Sequence, residues 1–181
     1  MTYYSGLSFE RVALVSEGAF CPESVRQWWR RLARTFQSPR GPHGVVVVDE
    51  TFLRIGRRDW VLWVAVDATT LQVVHLELAT AQWQTRRDCY RFLTRVRARS
   101  APEMPIIIHD RGSWYPKTCR NMSLPHAQVA GGVRSLVECW NRQLKHRLDA
   151  FWRQFRVGLT PEQVEAWLRS YAAAWNLARG W

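Results

Sequence analysis

With 181 residues, 47% hydrophobic side chains and 11 tryptophans, the chain has enough apolar material to bury the core of one medium domain, which excludes a disordered linker or tail. Its net charge of +11, carried mainly by arginine, points to a polyanionic partner such as nucleic acid, because guanidinium groups pair phosphates bidentately and stack on bases. Cys21, Cys89, Cys119 and Cys139 have no CxxC or CxxH spacing, no charged-then-apolar leader opens the chain, and no apolar run approaches membrane-spanning length, so a soluble, cytoplasmic protein with reduced thiols is expected.

Residues 7 to 36 read as two short helices. Ser8 is placed to cap the first, which carries Phe9, Val12, Ala13 and Leu14, and Gly18 interrupts the pattern. Pro22 suits the first turn of the second, whose apolar positions are Val25, Trp28, Trp29, Leu32 and Phe36. Arg26, Arg30, Arg31 and Arg34 occupy its other face, so the pair fits a helix-turn-helix on DNA; a plain helical hairpin with solvated arginines fits the same pattern. Residues 38–44, rich in Pro and Gly, read as a linker between a head at 1–37 and a larger domain at 45–181.

From Val45 the periodicity changes. Val45 to Ile55, Trp60 to Asp67 and Leu71 to Leu78 predict an antiparallel meander with turns at Gly56-Arg57-Arg58-Asp59 and Ala68-Thr69-Thr70. Trp83 to about Arg99 predicts a helix with Cys89, Phe92, Leu93 and Val96 on its buried face. Pro105 to His109 predicts a strand parallel to the first, and Ala127-Gln128-Val129 a further short one. A long helix is expected from near Val133 to about Phe155, buried through Leu136, Trp140, Leu144, Leu148 and Phe151 or Trp152. Gly158 stops it, and Thr160-Pro161-Glu162-Gln163 opens a last helix cored by Val164, Trp167, Leu168, Tyr171 and Trp175. The fold class is therefore α/β: a mixed sheet in the order β-β-β-α-β-α-β-α-α, flanked by helices and preceded by the helical pair.

Three acids stand out by position. Val45-Val46-Val47-Val48 is apolar without alternation, as in a strand covered on both faces, and it runs straight into Asp49. Ile106-Ile107-Ile108-His109 ends on Asp110 in the same way, and Glu138 opens the long helix in one polar stripe with Asn141, Arg142 and Lys145. A carboxylate delivered by a buried strand loses solvation unless a cation sits opposite it. Three of them suit a two-metal site, in which hard oxygen ligands hold Mg²⁺ or Mn²⁺ for in-line displacement at phosphorus. Each acid alone has a plainer role: Asp110 can open a turn with Arg111-Gly112, and Asp59 and Asp67 belong to turns. Glu50 points away from Asp49 and reads as a flanking structural residue.

The motifs resemble those of DDE-type insertion-sequence transposases, whose catalytic core has the RNase H-like fold of retroviral integrases. Val48-Asp49-Glu50-Thr51 resembles their first-strand motif, and Ile107-Ile108-His109-Asp110-Arg111-Gly112-Ser113-Trp114-Tyr115 their second. Arg134 to Lys145 resembles the helix bearing the third acid with a basic residue seven positions on, and Gly6-Leu7-Ser8 through Trp28-Trp29 resembles the preceding helix-turn-helix. The resemblance implies cleavage of double-stranded DNA at element ends and transfer of the freed 3′-hydroxyl to target DNA, by a homodimer or larger synaptic complex associated with the nucleoid. It implies Asp49, Asp110 and Glu138 as catalytic metal ligands for two Mg²⁺ or Mn²⁺ ions. Lys145, Arg142, Arg26, Arg30 and Arg31 would contact DNA. A shortened derivative that binds DNA without cutting it is the alternative.

Overall fold

The computed structural model describes residues 7–36, 41–80, 86–110, 112–130, 132, 135–149 and 158–179. The expected helix start at Trp83, Gly6, Arg111, Val133, Arg134, the helix end at Phe151, Trp152 and Phe155, and residues 38–40 of the proposed linker lie outside them.

The element order is α1 (Phe9–Val15), α2 (Pro22–Thr35), β1 (Val45–Ile55), β2 (Arg58–Asp67), β3 (Val73–Thr80), α3 (Arg86–Ser100), β4 (Ile106–His109), α4 (Trp114–Asn121), β5 (His126–Gln128), α5 (Ser135–Asp149) and α6 (Pro161–Leu177). The five strands form one mixed sheet in the order β3-β2-β1-β4-β5. This is the α/β class expected from the sequence pattern.

The meander follows from local chemistry. β1 and β2 pair antiparallel from Val46↔Asp67 to Ile55↔Arg58, leaving a two-residue turn. Its first residue, Gly56, has φ +61°, the left-handed conformation that a tight II′ turn asks of that position. At the next turn the Asp67 carboxylate accepts hydrogen bonds from the amides of Thr69 (2.8 Å) and Thr70 (2.7 Å), and its other oxygen meets His43 Nδ1 at 2.7 Å. β1 then gains a parallel partner, β4, through Val45↔Ile106, Val46↔Ile107 and Val47↔Ile108, and β4 pairs parallel with β5.

Helices cover both faces, which is why β1 tolerates consecutive valines: Val46, Val47 and Val48 are wholly buried. On one face Val47, Leu62, Val64 and Leu76 share a core with Trp29 of α2, Val137, Trp140 and Leu144 of α5, and Leu168, Tyr171 and Trp175 of α6. On the other, Val46, Val48, Val61 and Trp63 pack with Cys89, Phe92, Leu93 and Val96 of α3 and with Tyr115 and Cys119 of α4. All four cysteines are free thiols.

Two helix starts are fixed as their sequences predict. Ser8 Oγ accepts from the Arg11 amide at 3.2 Å, and Thr160 and Gln163 form a reciprocal capping box at the start of α6. α2 lies against α6: Ser170 Oγ donates to the Trp29 carbonyl at 2.7 Å, and the Trp29 and Trp167 rings are 5.9 Å apart. α6 also holds β3, because Asn176 exchanges two hydrogen bonds with the Val73 backbone (2.7 and 3.1 Å) in the manner of a neighbouring strand. No helix among the described residues is long and apolar enough to cross a membrane.

Candidate active site

The site begins where β4 ends. Continued two residues past its last pair, the parallel register of β1 and β4 sets Asp49 opposite Asp110. Neighbouring strands run about 4.8 Å apart, so the two carboxylates leave the sheet at the same place. β4 stops at His109, whereas β1 continues to Ile55, so the edge of β1 beyond Val48 opens into a notch.

Asp49 and Thr51 lie on the face covered by α5. Asp49 is 9% exposed, and Asn141 of α5 donates from Nδ2 to its Oδ2 at 2.9 Å. The helix period places Glu138, Asn141, Arg142 and Lys145 along the side of α5 nearest the notch. Together with Asp49, Glu50, Thr51 and His146 they line a groove of about 470 Å³. Glu138, Arg142 and Lys145 are exposed at its rim, while Asn141 is 6% exposed.

Glu50, expected as a flanking structural residue, also borders the groove. Its side chain does point away from Asp49, but because β4 no longer screens the edge, both faces of β1 reach the same notch, and Glu50 lines the groove. Tyr115, fully buried on α4, donates its hydroxyl to Glu50 Oε2 at 2.7 Å. Burial raises the Glu50 carboxyl most; the Tyr115 hydrogen bond opposes that, and repulsion from Asp110 and Asp49 adds to it, leaving the group at about 7. Glu50 thus registers the negative field of both aspartates. The only signal for it in the sequence is adjacency to Asp49.

Asp110 stands at the end of β4 but not among the groove-lining side chains. Its Oδ1 accepts from the Gly112 amide at 2.7 Å, so the turn role open to it in the sequence is realised. Gly112 fits closely here: a Cβ would lie 3.0 Å from Asp110 Oδ1 and 3.1 Å from Trp114 Nε1, so any larger residue would press on both side chains. Behind it, buried His109 meets the Asp110 carbonyl through Nδ1 (2.6 Å) and His126 Nδ1 through Nε2 (3.0 Å). A carbonyl only accepts, so Nδ1 of His109 carries the hydrogen and His126 donates to Nε2. Burial holds the His109 ring below its ordinary value. Both histidines support the end of β4.

The structure therefore brings Asp49, Glu138, Arg142 and Lys145 to one groove, sets Asp110 at its border, and leaves α2 out of the lining. Arg30 and Arg31 are exposed on α2; Arg26 is held by Glu23 at 2.7 Å and sits 5.7 Å from the centre of the Phe9 ring.

Among the described residues no three His, Cys, Asp or Glu side chains gather as a ready-made metal cluster. The donors present nevertheless fit a hard divalent cation. Asp49 and Glu138 offer carboxylate oxygens in one groove, and the crowding at Glu50 is what a bound cation would relieve. Mg²⁺ commonly takes one or two carboxylates and completes its shell with water and substrate phosphate.

No family model matches the sequence. An uncharacterized protein of Methanocaldococcus jannaschii is 27% identical over 97% of this chain and 82% of its own length. An uncharacterized protein of Aquifex aeolicus is 32% identical over 28% of this chain and 41% of its own. Among solved structures, a chain of the simian T-cell lymphotropic virus intasome in complex with a PP2A regulatory subunit matches with a TM-score of 0.54 and 18% identity over 72% of this chain; the match spans about half, 49%, of that chain. The HTLV-2 integrase catalytic core domain in complex with magnesium matches at 0.51 and 14% identity, over 74% of this chain and 86% of that one. The Mos1 strand transfer complex matches at 0.50 and 13%, over 94% and 67%. The fold is that of integrase and transposase catalytic cores.

Proposed function

We propose that the chain is a metal-dependent DNA transposase that cleaves at the ends of an insertion sequence and joins the freed 3′-hydroxyl to target DNA. The observation that carries this reading is the groove in which Asp49 and Glu138 face Arg142 and Lys145 at the border of Asp110, on a core of integrase and transposase type. Asp49, Asp110 and Glu138 would hold Mg²⁺ or Mn²⁺, and the bound ions would supply charge stabilisation at the attacking and leaving oxygens. Arg142 and Lys145, exposed at the rim, would bind the phosphates of the reacting strand; Arg30 and Arg31, with Arg26 beside them, would position flanking duplex without reading its sequence. Positioning and electrostatics then account for the chemistry, with no covalent protein intermediate. The magnesium-bound HTLV-2 core and the Mos1 strand transfer complex support cation use and DNA as partner, and action on two ends calls for a homodimer or larger synaptic complex.

One observation favours a second reading, a derivative that binds DNA without cutting it: the Asp110 carboxylate is engaged by Gly112 and does not line the groove. Strand transfer separates the two. With Mg²⁺ or Mn²⁺ and DNA carrying the sequences that flank the gene, the wild type is expected to yield joined product, and Asp110→Asn to lose it while still binding DNA. Equal inactivity of the two proteins, with tight binding by both, would select the non-cutting derivative.

A further inference from the structure

Asn141 is a buried amide whose two ends are treated unequally. Asp49 as a carboxylate can only accept, so the Asn141 end facing it at 2.9 Å must be the amide nitrogen. Its Oδ1 then points away from Asp49, and it is enclosed and accepts from no group among the described residues. Buried polar atoms without a partner are few in natural folds. A leucine of similar size would fill the same space on α5 without that cost, as Leu144 does three positions on. Here the unmet acceptor belongs to a residue lining the groove between Glu138, one turn earlier on α5, and Asp49 on β1.

We propose that Asn141 is a positioning residue of the cation site: its Nδ2 fixes the rotation of the Asp49 carboxylate that, with Glu138, attracts the divalent ion. This rests on the reading of the groove as a cation site. A neutral amide is suited to the place, because a further carboxylate would add to the repulsion among Asp49, Glu50 and Glu138, which already share the groove. Groups that orient metal ligands in this way typically change affinity by about 10- to 100-fold when removed.

The test is a Mn²⁺ titration of the full chain without DNA, followed by the electron paramagnetic resonance signal of free Mn²⁺. It compares wild type, Asn141→Leu, Asn141→Ala and Asp49→Asn, with thermal melting run alongside. Asn141→Leu is expected to bind Mn²⁺ about 10- to 100-fold more weakly than wild type while melting no lower, an outcome that a packing role does not produce. Asn141→Ala serves if the leucine variant fails to fold. Either variant, folded and binding Mn²⁺ within about twofold of wild type, overturns the proposal. If Asp49→Asn abolishes binding while the Asn141 variants keep it, this inference alone fails. If Asp49→Asn binds as well as wild type, the cation reading of the groove fails and takes the inference with it.

Discussion

Glu50 turns the electrostatics of the site into something measurable on the metal-free protein. Its carboxyl is raised from 4.5 to about 7 in the folded chain, so the folded state holds a proton that the unfolded state has released. The stability this contributes is complete below about 4.5 and is lost as pH climbs towards about 7. In EDTA, chemical denaturation of the wild type should therefore lose stability across that window relative to Glu50→Gln, which cannot ionise. Parallel curves for the two proteins would mean that neither burial nor the neighbouring aspartates raise this carboxyl. The residue-scale features were unevenly legible in the sequence. Asp49, Asp110 and Glu138 could be singled out because each sits where a carboxylate is costly or oddly placed. Asn141 read only as part of a polar stripe, because its burial depends on the approach of α5 to β1. Glu50 was set aside on side-chain parity, which holds inside a sheet and fails to separate two faces where the neighbouring strand ends.

Among the elements, α2 carries the clearest tension between pattern and packing. Its arginines and its place before the sheet give it the profile of a separate DNA-reading head, yet Trp29 belongs to the core shared with Val47, Trp140 and Leu168. Helix periodicity states which face of α2 is apolar; it does not state what covers that face, and here the cover is α6, far away in sequence. Trp29→Ala is expected to cost about 3–5 kcal/mol and to lower the stability of the whole chain in one cooperative transition, seen equally by far-UV dichroism and tryptophan fluorescence. Two separated transitions, with the sheet's unchanged, would restore an independent head. The start of α6 is legible to the residue and the meander to within about two residues, because Gly56, Asp67, Thr160 and Pro161 are local signals whose physics needs no distant partner; β2 begins at Arg58, inside the expected turn, and β3 runs from Val73 to Thr80.

At the scale of the whole molecule, the site is a product of long-range pairing. β1, β2 and β3 meet through short turns, whereas β1 and β4 are joined only after α3 has crossed the sheet, and α5 arrives later still. Closing such distant contacts costs chain entropy before any packing is gained, and they form more slowly than hairpins. In pulse-labelled hydrogen exchange during refolding, the amides of Val61 to Val66 are expected to gain protection before that of Ile107; simultaneous protection would contradict this order.

The early end of β4 has a biological corollary. A chain emerging from the ribosome can complete its meander while Asp110 and Glu138 are still unmade or unplaced, so Asp49 sits on a finished hairpin with only Glu50 beside it. The positive charge is late as well: residues 1–80 hold nine arginines against eight acids, so nearly all of the net charge of +11 follows the meander. On the proposed function, competence to cut arrives as the last event of maturation, and a product truncated after the meander would lack both the later acids and most of the charge that holds DNA.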